Sequence, residues 1–567
     1  MTDAAARVEA AKKALADAEA ALAETQAPDV APPVGPPIPV SGPLPPADVE
    51  TIRTGYAFDG DLLEIGALVN GEALPEVQVR IPIAMLNRHA LVAGATGTGK
   101  TRTLQVLAEQ LSAAGVPVFA ADIKGDLSGV ATPGASSEKL LARTDGIGQK
   151  WSGASFPTEY FSLGGTGLGV PVRATLSGFG PVLLSKVLGL NATQESSLGL
   201  VFHYAENAGL PLVDLADLRA VLTWLVDEGK SELRDLGGLS ATTVGVILRE
   251  LIAFADRGAD VFFGEPEIDT AEFMRAAQDG RGVISLLEVP GVQDKPALFS
   301  TFLMWMLADL FNDLPEVGDV DRPKLVFFFD EAHLLFKDAS KDFLASIVQT
   351  VRLIRSKGVG IVFVTQTPKD VPDEVLAQLG SRIQHQLRAH TPDAAKALRA
   401  TVSTYPMSGY DLEKVLTQLA TGEAVVTVMS ERGAPTPVAW TRLRAPQGSM
   451  GPSPAAAIAA AIAGSPLQAK YGTALDPDSA REILSRKLDA AAEAATAKDL
   501  DIPVLDVEEQ YERIRREGEK PRPPETPPKK RPAETTSKPI TDFLGSRQGR
   551  AIVNSVIKGI FGTLRRR

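Results

Sequence analysis

Short apolar segments alternate with helical patterns from residue 89 to roughly residue 430. Several of these segments are apolar at nearly every position, which is typical of parallel strands buried on both faces of a sheet. The alternation predicts an α/β domain with a doubly wound sheet. The strand candidates are HALVAGA, VPVFAADI, GVISLLEV, KLVFFFDEA, GIVFVTQ, RIQHQL and EAVVTVM.

Changes in this pattern divide the rest of the chain. Residues 50–88 predict a small β element, because alternating segments such as VQVRIPI surround the turn at Asn70-Gly71. The core itself covers 89–445 and carries a mainly helical insertion at about 130–280. Alanine-rich helices are predicted in 446–507.

The first part of the chain predicts a helix over 1–26, since alanine, glutamate and lysine are strong helix formers. Val8, Leu15 and Leu22 recur at seven-residue spacing, so this helix is either a short coiled-coil seam or a solvated surface helix. The proline-rich stretch 27–49 predicts an extended linker.

The last part of the chain combines a polar segment with an amphipathic one. Residues 508–539 are rich in proline and charge and predict disorder. Residues 540–567 predict a basic amphipathic helix, since Arg and Lys far outnumber the acidic residues and apolar positions recur at helical spacing. Such a helix docks on a protein, lies on an anionic membrane or binds nucleic acid. Docking on a protein is the favoured interpretation, and membrane contact is not favoured.

Composition removes several classes of function. The 567 residues include no cysteine, which excludes disulfides, thiolate-bound metals and cysteine nucleophiles. The five histidines form no ligand pair typical of a zinc site. The net charge of -12 argues against a general nucleic-acid-coating surface but leaves room for a local basic channel. The N-terminus lacks a signal sequence and no apolar run could span a bilayer, so a cytoplasmic protein is expected.

A glycine-rich turn between a strand and a helix is the most specific motif. Gly94-x-x-x-x-Gly99-Lys100-Thr101 follows ALVA and precedes TLQVLAEQL, which is the pattern of a phosphate-binding P-loop. Glycines let backbone N–H groups approach phosphates, Lys100 reaches the β- and γ-phosphates, and the hydroxyl of Thr101 reaches Mg²⁺. The residues expected to contact the nucleotide are Gly94, Ala95, Thr96, Gly97, Thr98, Gly99, Lys100, Thr101 and Arg102.

A second strand supplies the carboxylates that a P-loop requires. The apolar run Leu325–Phe329 ends in Asp330-Glu331. We expect Asp330 to hold Mg²⁺ through water and Glu331 to activate the attacking water. Asp122 and Lys124 end another strand at the same edge, although their roles stay open.

Polar residues around the strand GIVFVTQ extend this interpretation. Gln366 ends the strand, where its amide could sense the γ-phosphate or position water. Arg352 and Arg355 precede the strand, and an arginine there could reach a neighbouring subunit's γ-phosphate. Cations at the end of a helix could instead complement its dipole.

The blocks at 87–129, 262–269, 327–336 and 351–400, with the terminal IVNSVIKGIFGTLRRR, resemble the HerA/FtsK superfamily of P-loop ATPases. Within it they are most similar to the HerA-like bacterial branch often called YjgR-type. The resemblance implies a RecA-like core that assembles as a hexameric ring with sites shared between subunits. It also implies that Arg355 is the arginine that acts in trans. Residues 50–88 are too few for the N-terminal β-barrel of HerA translocases, so no nuclease partner is implied.

The expected function is Mg²⁺-dependent ATP hydrolysis by a self-associating ring. Two uses of the energy stay open. The first is translocation or unwinding of DNA without sequence specificity, in which a ring of cations grips the phosphate backbone. The alternative is an assembly or regulatory ATPase that acts on a protein partner, with the terminal helices as contact surfaces.

Overall fold

The computed structural model describes residues 42–233, 238–288, 296–318, 320–336, 341–430 and 432–500. Most of them belong to a compact unit that ends at Ala491. The helix expected at 1–26, most of the proline-rich linker and the segments 508–539 and 540–567 lie outside the described residues. Within the described ranges, no helix combines the length and apolarity needed to cross a membrane.

Within those ranges, twelve strands form one sheet in the order β2-β1-β12-β11-β10-β3-β9-β8-β4-β7-β5-β6. The strands are β1 Leu62–Asn70, β2 Glu72–Pro82, β3 Ala90–Ala93, β4 Val118–Asp122, β5 Thr158–Leu163, β6 Val170–Val172, β7 Ile284–Glu288, β8 Leu325–Phe329, β9 Val359–Thr365, β10 Ser381–Gln384, β11 Glu423–Thr427 and β12 Ala439–Leu443.

The sheet has a parallel part and an antiparallel part. Strands β10, β3, β9, β8, β4, β7, β5 and β6 are mutually parallel, whereas β11, β12, β1 and β2 extend the sheet in antiparallel fashion. In register, Ala93 pairs with Thr365, and Phe329 pairs with both Phe363 and Ala121. The carboxyl ends of β3, β9, β8 and β4 therefore meet at one edge, where open α/β sheets bind ligands.

Helices cover both faces of this sheet. They are α1 Pro46–Gly55, α2 Lys100–Ala113, α3 Glu138–Asp145, α4 Leu176–Phe179, α5 Pro181–Val187, α6 Ala192–Asn207, α7 Leu215–Val226, α8 Ala241–Asp256, α9 Pro296–Asp313, α10 His333–Phe336, α11 Lys341–Ile354, α12 Asp373–Leu376, α13 Pro392–Val402, α14 Leu412–Gln418, α15 Ala455–Gly464, α16 Pro466–Tyr471 and α17 Ala480–Leu500.

Local signals explain where the helices of the insertion begin. Asn191 caps α6 and Asp214 caps α7, and each belongs to a reciprocal capping box. A cap of this kind stabilises a helix by ~1 kcal/mol, because it satisfies N–H groups that have no intrahelical partner.

The core lies on both sides of the sheet because successive strand residues point to opposite faces. In β8, Leu325, Phe327 and Phe329 pack with α5 to α9 and α11. Val326 and Phe328 pack on the other face, with α1, α2 and α14. The predicted α/β class with a RecA-like P-loop core is confirmed.

The structure differs from the sequence pattern at three places. The segment 130–280, expected to be mainly helical, also contributes β5 and β6 to the sheet. The β element at 50–88 is continuous with the main sheet, because β1 pairs with β12. Helix α1 begins at Pro46, inside the stretch expected to be a linker, since proline is well suited to the first turn of a helix.

Candidate nucleotide-binding site

The P-loop connects β3 to α2, and its carbonyl oxygens accept hydrogen bonds from the side chain of Lys100. Gly99 adopts φ +111 and precedes the helix, whose first residue is Lys100. Glycine has no side chain to cap the helix, so the first N–H groups stay available to an anion. Lys100 Nζ donates to the carbonyl oxygens of Gly94 at 2.6 Å and Ala95 at 3.3 Å. The lysine side chain therefore folds back over the P-loop, where it is expected to bind the phosphates.

The other loop residues differ in exposure. Thr96 and Gly97 are exposed, Thr98 is buried, and Thr101 is half-buried in the first turn of α2. Arg102 donates to Gln105 Oε1 at 3.0 Å and to the carbonyl oxygen of Asp126 at 3.4 Å. The guanidinium of Arg102 is therefore hydrogen-bonded to α2 and to the segment that follows β4.

His385, which follows β10, contacts both the P-loop and α2. The sequence did not predict this supporting role. His385 Nδ1 lies 3.1 Å from the carbonyl oxygen of Thr98, and its Nε2 lies 3.0 Å from Thr103 Oγ1. A carbonyl can only accept, so Nδ1 carries the proton and Nε2 accepts from the hydroxyl. Burial, with the charge of Lys100, lowers the pKa of His385 to about 4. The ring is therefore neutral near pH 7.

The same histidine explains why residue 94 is glycine. A Cβ on Gly94 would lie 2.4 Å from His385 Cβ, which is closer than real contacts allow. Two backbone hydrogen bonds hold the P-loop this close to the segment of His385. Ala95 N donates to the carbonyl oxygen of Gln386 at 2.8 Å, and His385 N donates to that of Ala93 at 2.7 Å. The sequence signal was a histidine within the strand candidate RIQHQL.

Replacement of His385 by alanine should weaken nucleotide binding. It removes both ring hydrogen bonds to the loop and its helix, so we expect the Kd of a non-hydrolysable ATP analogue to rise about tenfold. Calorimetric titration measures this, with His203→Ala, an exposed histidine on α6, as the matched control. An unchanged Kd in a folded His385→Ala protein would contradict the supporting role.

The two candidate acidic residues follow β8 and are almost fully buried, each with 6% exposure. Burial raises the pKa of Asp330 to about 6, although the charge of Lys124 acts in the opposite direction. Glu331 has φ +51, a left-handed conformation that is uncommon for glutamate. Such strain costs ~1–3 kcal/mol and concentrates at functional sites.

Glu331 is surrounded by polar groups from two other strand ends and from its own. Lys124 Nζ donates to Oε1 at 2.6 Å, Gln366 Nε2 donates to Oε2, and His333 Nδ1 lies 3.3 Å from Oε2. Burial by itself would raise the pKa of Glu331, but the hydrogen bond and charge of Lys124 outweigh it and lower the pKa. Glu331 is therefore ionised and held at a defined position.

Gln366 reaches this position because the end of β9 is fixed. Thr365 Oγ1 donates to Asp370 Oδ2 at 2.6 Å, and Thr367 N donates to the same oxygen at 3.2 Å. The structure thus brings together Lys100, Asp330, Glu331 and Gln366 at one sheet edge, with Lys124 among them.

Arg355 lies at the opposite end of β9 from the candidate nucleotide site. It begins the short 3₁₀ turn Arg355–Lys357 before β9, whereas Gln366 follows the end of that strand. Its charge acts on the buried His89 at the amino end of the sheet. Seven residues of β9 separate it from the P-loop edge, roughly 20 Å at the usual rise of a strand. Arg352, in α11, is exposed. Neither arginine belongs to the site of its own chain.

The residues at this edge fit ATP and Mg²⁺. Helix α2 presents its N-terminus and Lys100 to an anion, and a Cβ added at Gly97 would meet no atom within 4 Å. Among the described residues, no group of three or more His, Cys, Asp or Glu could hold a metal ion by itself. In nucleotide sites Mg²⁺ is bound by one or two protein oxygens together with phosphates and water. Thr101, in the first turn of α2, and Asp330, directly after β8, supply a hydroxyl and a carboxylate at this edge.

Comparison with known proteins gives consistent matches. The family model described as "Helicase HerA-like C-terminal" matches residues 68–567. The chain is 24% identical over 388 residues to a probable helicase of Methanocaldococcus jannaschii, covering 65% of this chain and 68% of that protein. It is 24% identical over 378 residues to the DNA double-strand break repair helicase HerA of Sulfurisphaera tokodaii, covering 65% and 67%.

Solved structures with a similar arrangement are more distant. The plasmid coupling protein TrwB in complex with a non-hydrolysable ATP analogue is 16% identical, with 70% of this chain and 93% of that chain covered and a TM-score of 0.48. VirB4 of Thermoanaerobacter pseudethanolicus is 16% identical, with 68% and 97% covered and a TM-score of 0.43.

Proposed function

The chain belongs to the family of HerA-like helicase C-terminal domains, and from this premise we propose that it is a ring-forming motor that moves along DNA. Family membership together with the P-loop makes it an ATP hydrolase that uses ATP and Mg²⁺. The observation that carries the motor's ATP hydrolysis is the meeting of Lys100, Asp330, Glu331 and Gln366 at adjacent strand ends.

Each residue has a distinct role in this proposal. Lys100 and the N–H groups of the P-loop bind the phosphates, since the loop and helix terminus are built for an anion. Glu331 accepts the proton of the attacking water, and Gln366 orients that water and Glu331 together. Thr101 and Asp330 hold Mg²⁺, which when bound neutralises charge on the β- and γ-phosphate oxygens.

The ring is supported by the position of Arg355. At the far end of β9 it cannot serve the P-loop of its own chain, so a catalytic role requires a neighbouring subunit. An arginine supplied in trans stabilises charge on the transferred phosphoryl group. We therefore propose a homo-oligomer, with six subunits as the expected number.

DNA as the track is supported by the relatives. One is a DNA double-strand break repair helicase and another a probable helicase. The net charge of -12 does not oppose this, because a closed ring needs only a few cations per subunit along its channel. A contact with phosphates makes no demand on base sequence.

The test is the steady-state ATPase rate with and without duplex and single-stranded DNA, on protein of known oligomeric mass. We expect several-fold stimulation at about 50 mM salt that fades at about 200 mM, because phosphate contacts release counterions. Removal of Mg²⁺ with EDTA should stop turnover both with and without DNA.

Lys100→Ala is the control, since it should lose nucleotide binding and with it any rate that DNA stimulates. An intact ring whose rate is the same with and without DNA would overturn the DNA motor. That result would favour the ATPase that acts on a protein partner.

A further inference from the structure

Both oxygens of the candidate base are already occupied in this structure. Glu331 Oε1 accepts from Lys124 Nζ at 2.6 Å, and Oε2 accepts from Gln366 and faces His333. A general base needs a lone pair directed at the water that it deprotonates. A carboxylate has about four lone-pair sites, so release of one of these contacts would add a position from which Glu331 can accept a proton from water.

Lys124 is the partner best able to leave. Its side chain is 40% exposed, whereas that of Glu331 is 7% exposed. A lysine side chain is a flexible four-carbon stem with a compact charge, so it can move without its backbone. Gln366, in contrast, follows directly on a strand end that Thr365 and Asp370 hold in place.

The backbone below Lys124 is firmly held. Leu127 N donates to Asp122 Oδ2 at 2.9 Å, and Arg102 donates to the carbonyl oxygen of Asp126 at 3.4 Å. Further along, Ser128 Oγ accepts from Ser453 N at 3.1 Å. Any movement of the ammonium group is thus a movement of the side chain within the site.

The charges explain where the ammonium group would go. Lys124 is near enough for its charge to act against the charged form of Lys100, and the carboxylates of Glu331 and Asp330 act in the opposite direction. A γ-phosphate beside Lys100 adds a dense negative charge with strong acceptor oxygens, so it competes with the singly charged Glu331 for the ammonium group. ADP brings no such group.

We propose that Lys124 is a ligand of the γ-phosphate, and that on ATP binding it leaves Glu331 and thereby frees the base for water. In the absence of a γ-phosphate it pairs with Glu331 and keeps the base occupied. This inference rests on the proposed nucleotide site but not on DNA as the track. It makes Lys124 the group that distinguishes ATP from ADP.

The test is calorimetric binding of a non-hydrolysable ATP analogue and of ADP, each with Mg²⁺, to the full chain. For Lys124→Ala we expect the Kd of the ATP analogue to rise about tenfold, since a charge-assisted contact is lost. The Kd of ADP should stay close to that of the unmodified protein. Lys124→Arg keeps the charge and should retain most of the preference for the triphosphate.

Lys139→Ala is the matched control, because Lys139 is an exposed lysine on α3 and should change neither affinity. An equal loss for both nucleotides, or an unchanged Kd for the ATP analogue, overturns the role of Lys124. If Lys124→Ala fails to fold, Lys124→Gln replaces it with the same expected and contrary outcomes. An unmodified protein that binds neither nucleotide would defeat the nucleotide site itself, which is a different result.

Discussion

Replacement of Glu331 by glutamine should lower kcat by ~10²–10⁴-fold while ATP remains bound, because this range is typical of a lost general base. Glutamine has nearly the same size and its carbonyl oxygen can still accept from Lys124, so the fold and the nucleotide pocket are kept. It cannot take a proton from water. The measurement is single-turnover hydrolysis beside the Kd of ATP on the same sample.

Glu138→Gln is the matched control, since Glu138 is an exposed glutamate in the first turn of α3. It should hydrolyse ATP at the unmodified rate. A Glu331→Gln protein that turns over normally would remove Glu331 from the chemistry and direct attention to Asp122, whose pKa burial raises to about 6 at the neighbouring strand end.

Arg355→Ala should reduce turnover by ~10³–10⁵-fold, the usual effect of an arginine supplied to a phosphoryl group in trans. ATP affinity should change little, because Arg355 lies across the sheet from the P-loop of its own chain. The rate and the oligomeric mass are measured together, so that loss of the ring is not mistaken for loss of catalysis. Arg352→Ala is the comparison, and this exposed neighbour should keep its activity.

Mixing the two inactive proteins tests the shared site directly. A Glu331→Gln subunit retains its arginine, and an Arg355→Ala subunit retains its base. Where a Glu331→Gln subunit supplies its Arg355 to the site of an Arg355→Ala neighbour, that site has both the arginine and the base. Mixed rings should therefore recover part of the activity. Intact mixed rings with no recovery would show that the two residues do not act across an interface.

Local sequence was sufficient for the P-loop and for the seven strand candidates of the core. Glycine spacing, an apolar run before it and a helical pattern after it are properties of neighbouring residues. The apolar runs of β8 and β9 are readable because strands buried on both faces need no alternation. The strands β5 and β6 were not predicted, since short segments within a helical region carry too weak a period to stand out.

The contacts that decide how the site works could not be read from the sequence. Lys124 and Glu331 are 207 residues apart, and Thr103 and His385 are 282 apart. The order of strands places each pair side by side, and no local pattern encodes that order. The strain at Glu331 likewise depends on its neighbours.

By itself the sequence determined that this is a P-loop protein with two carboxylates on a buried strand, because phosphate binding and strand burial impose local residue types. Only the tertiary structure decided that the base is paired with Lys124, that His385 supports the loop, and that Arg355 lies beyond reach of its own site. Those facts arise from packing between distant segments. Burial then sets the charge states that the side chains adopt.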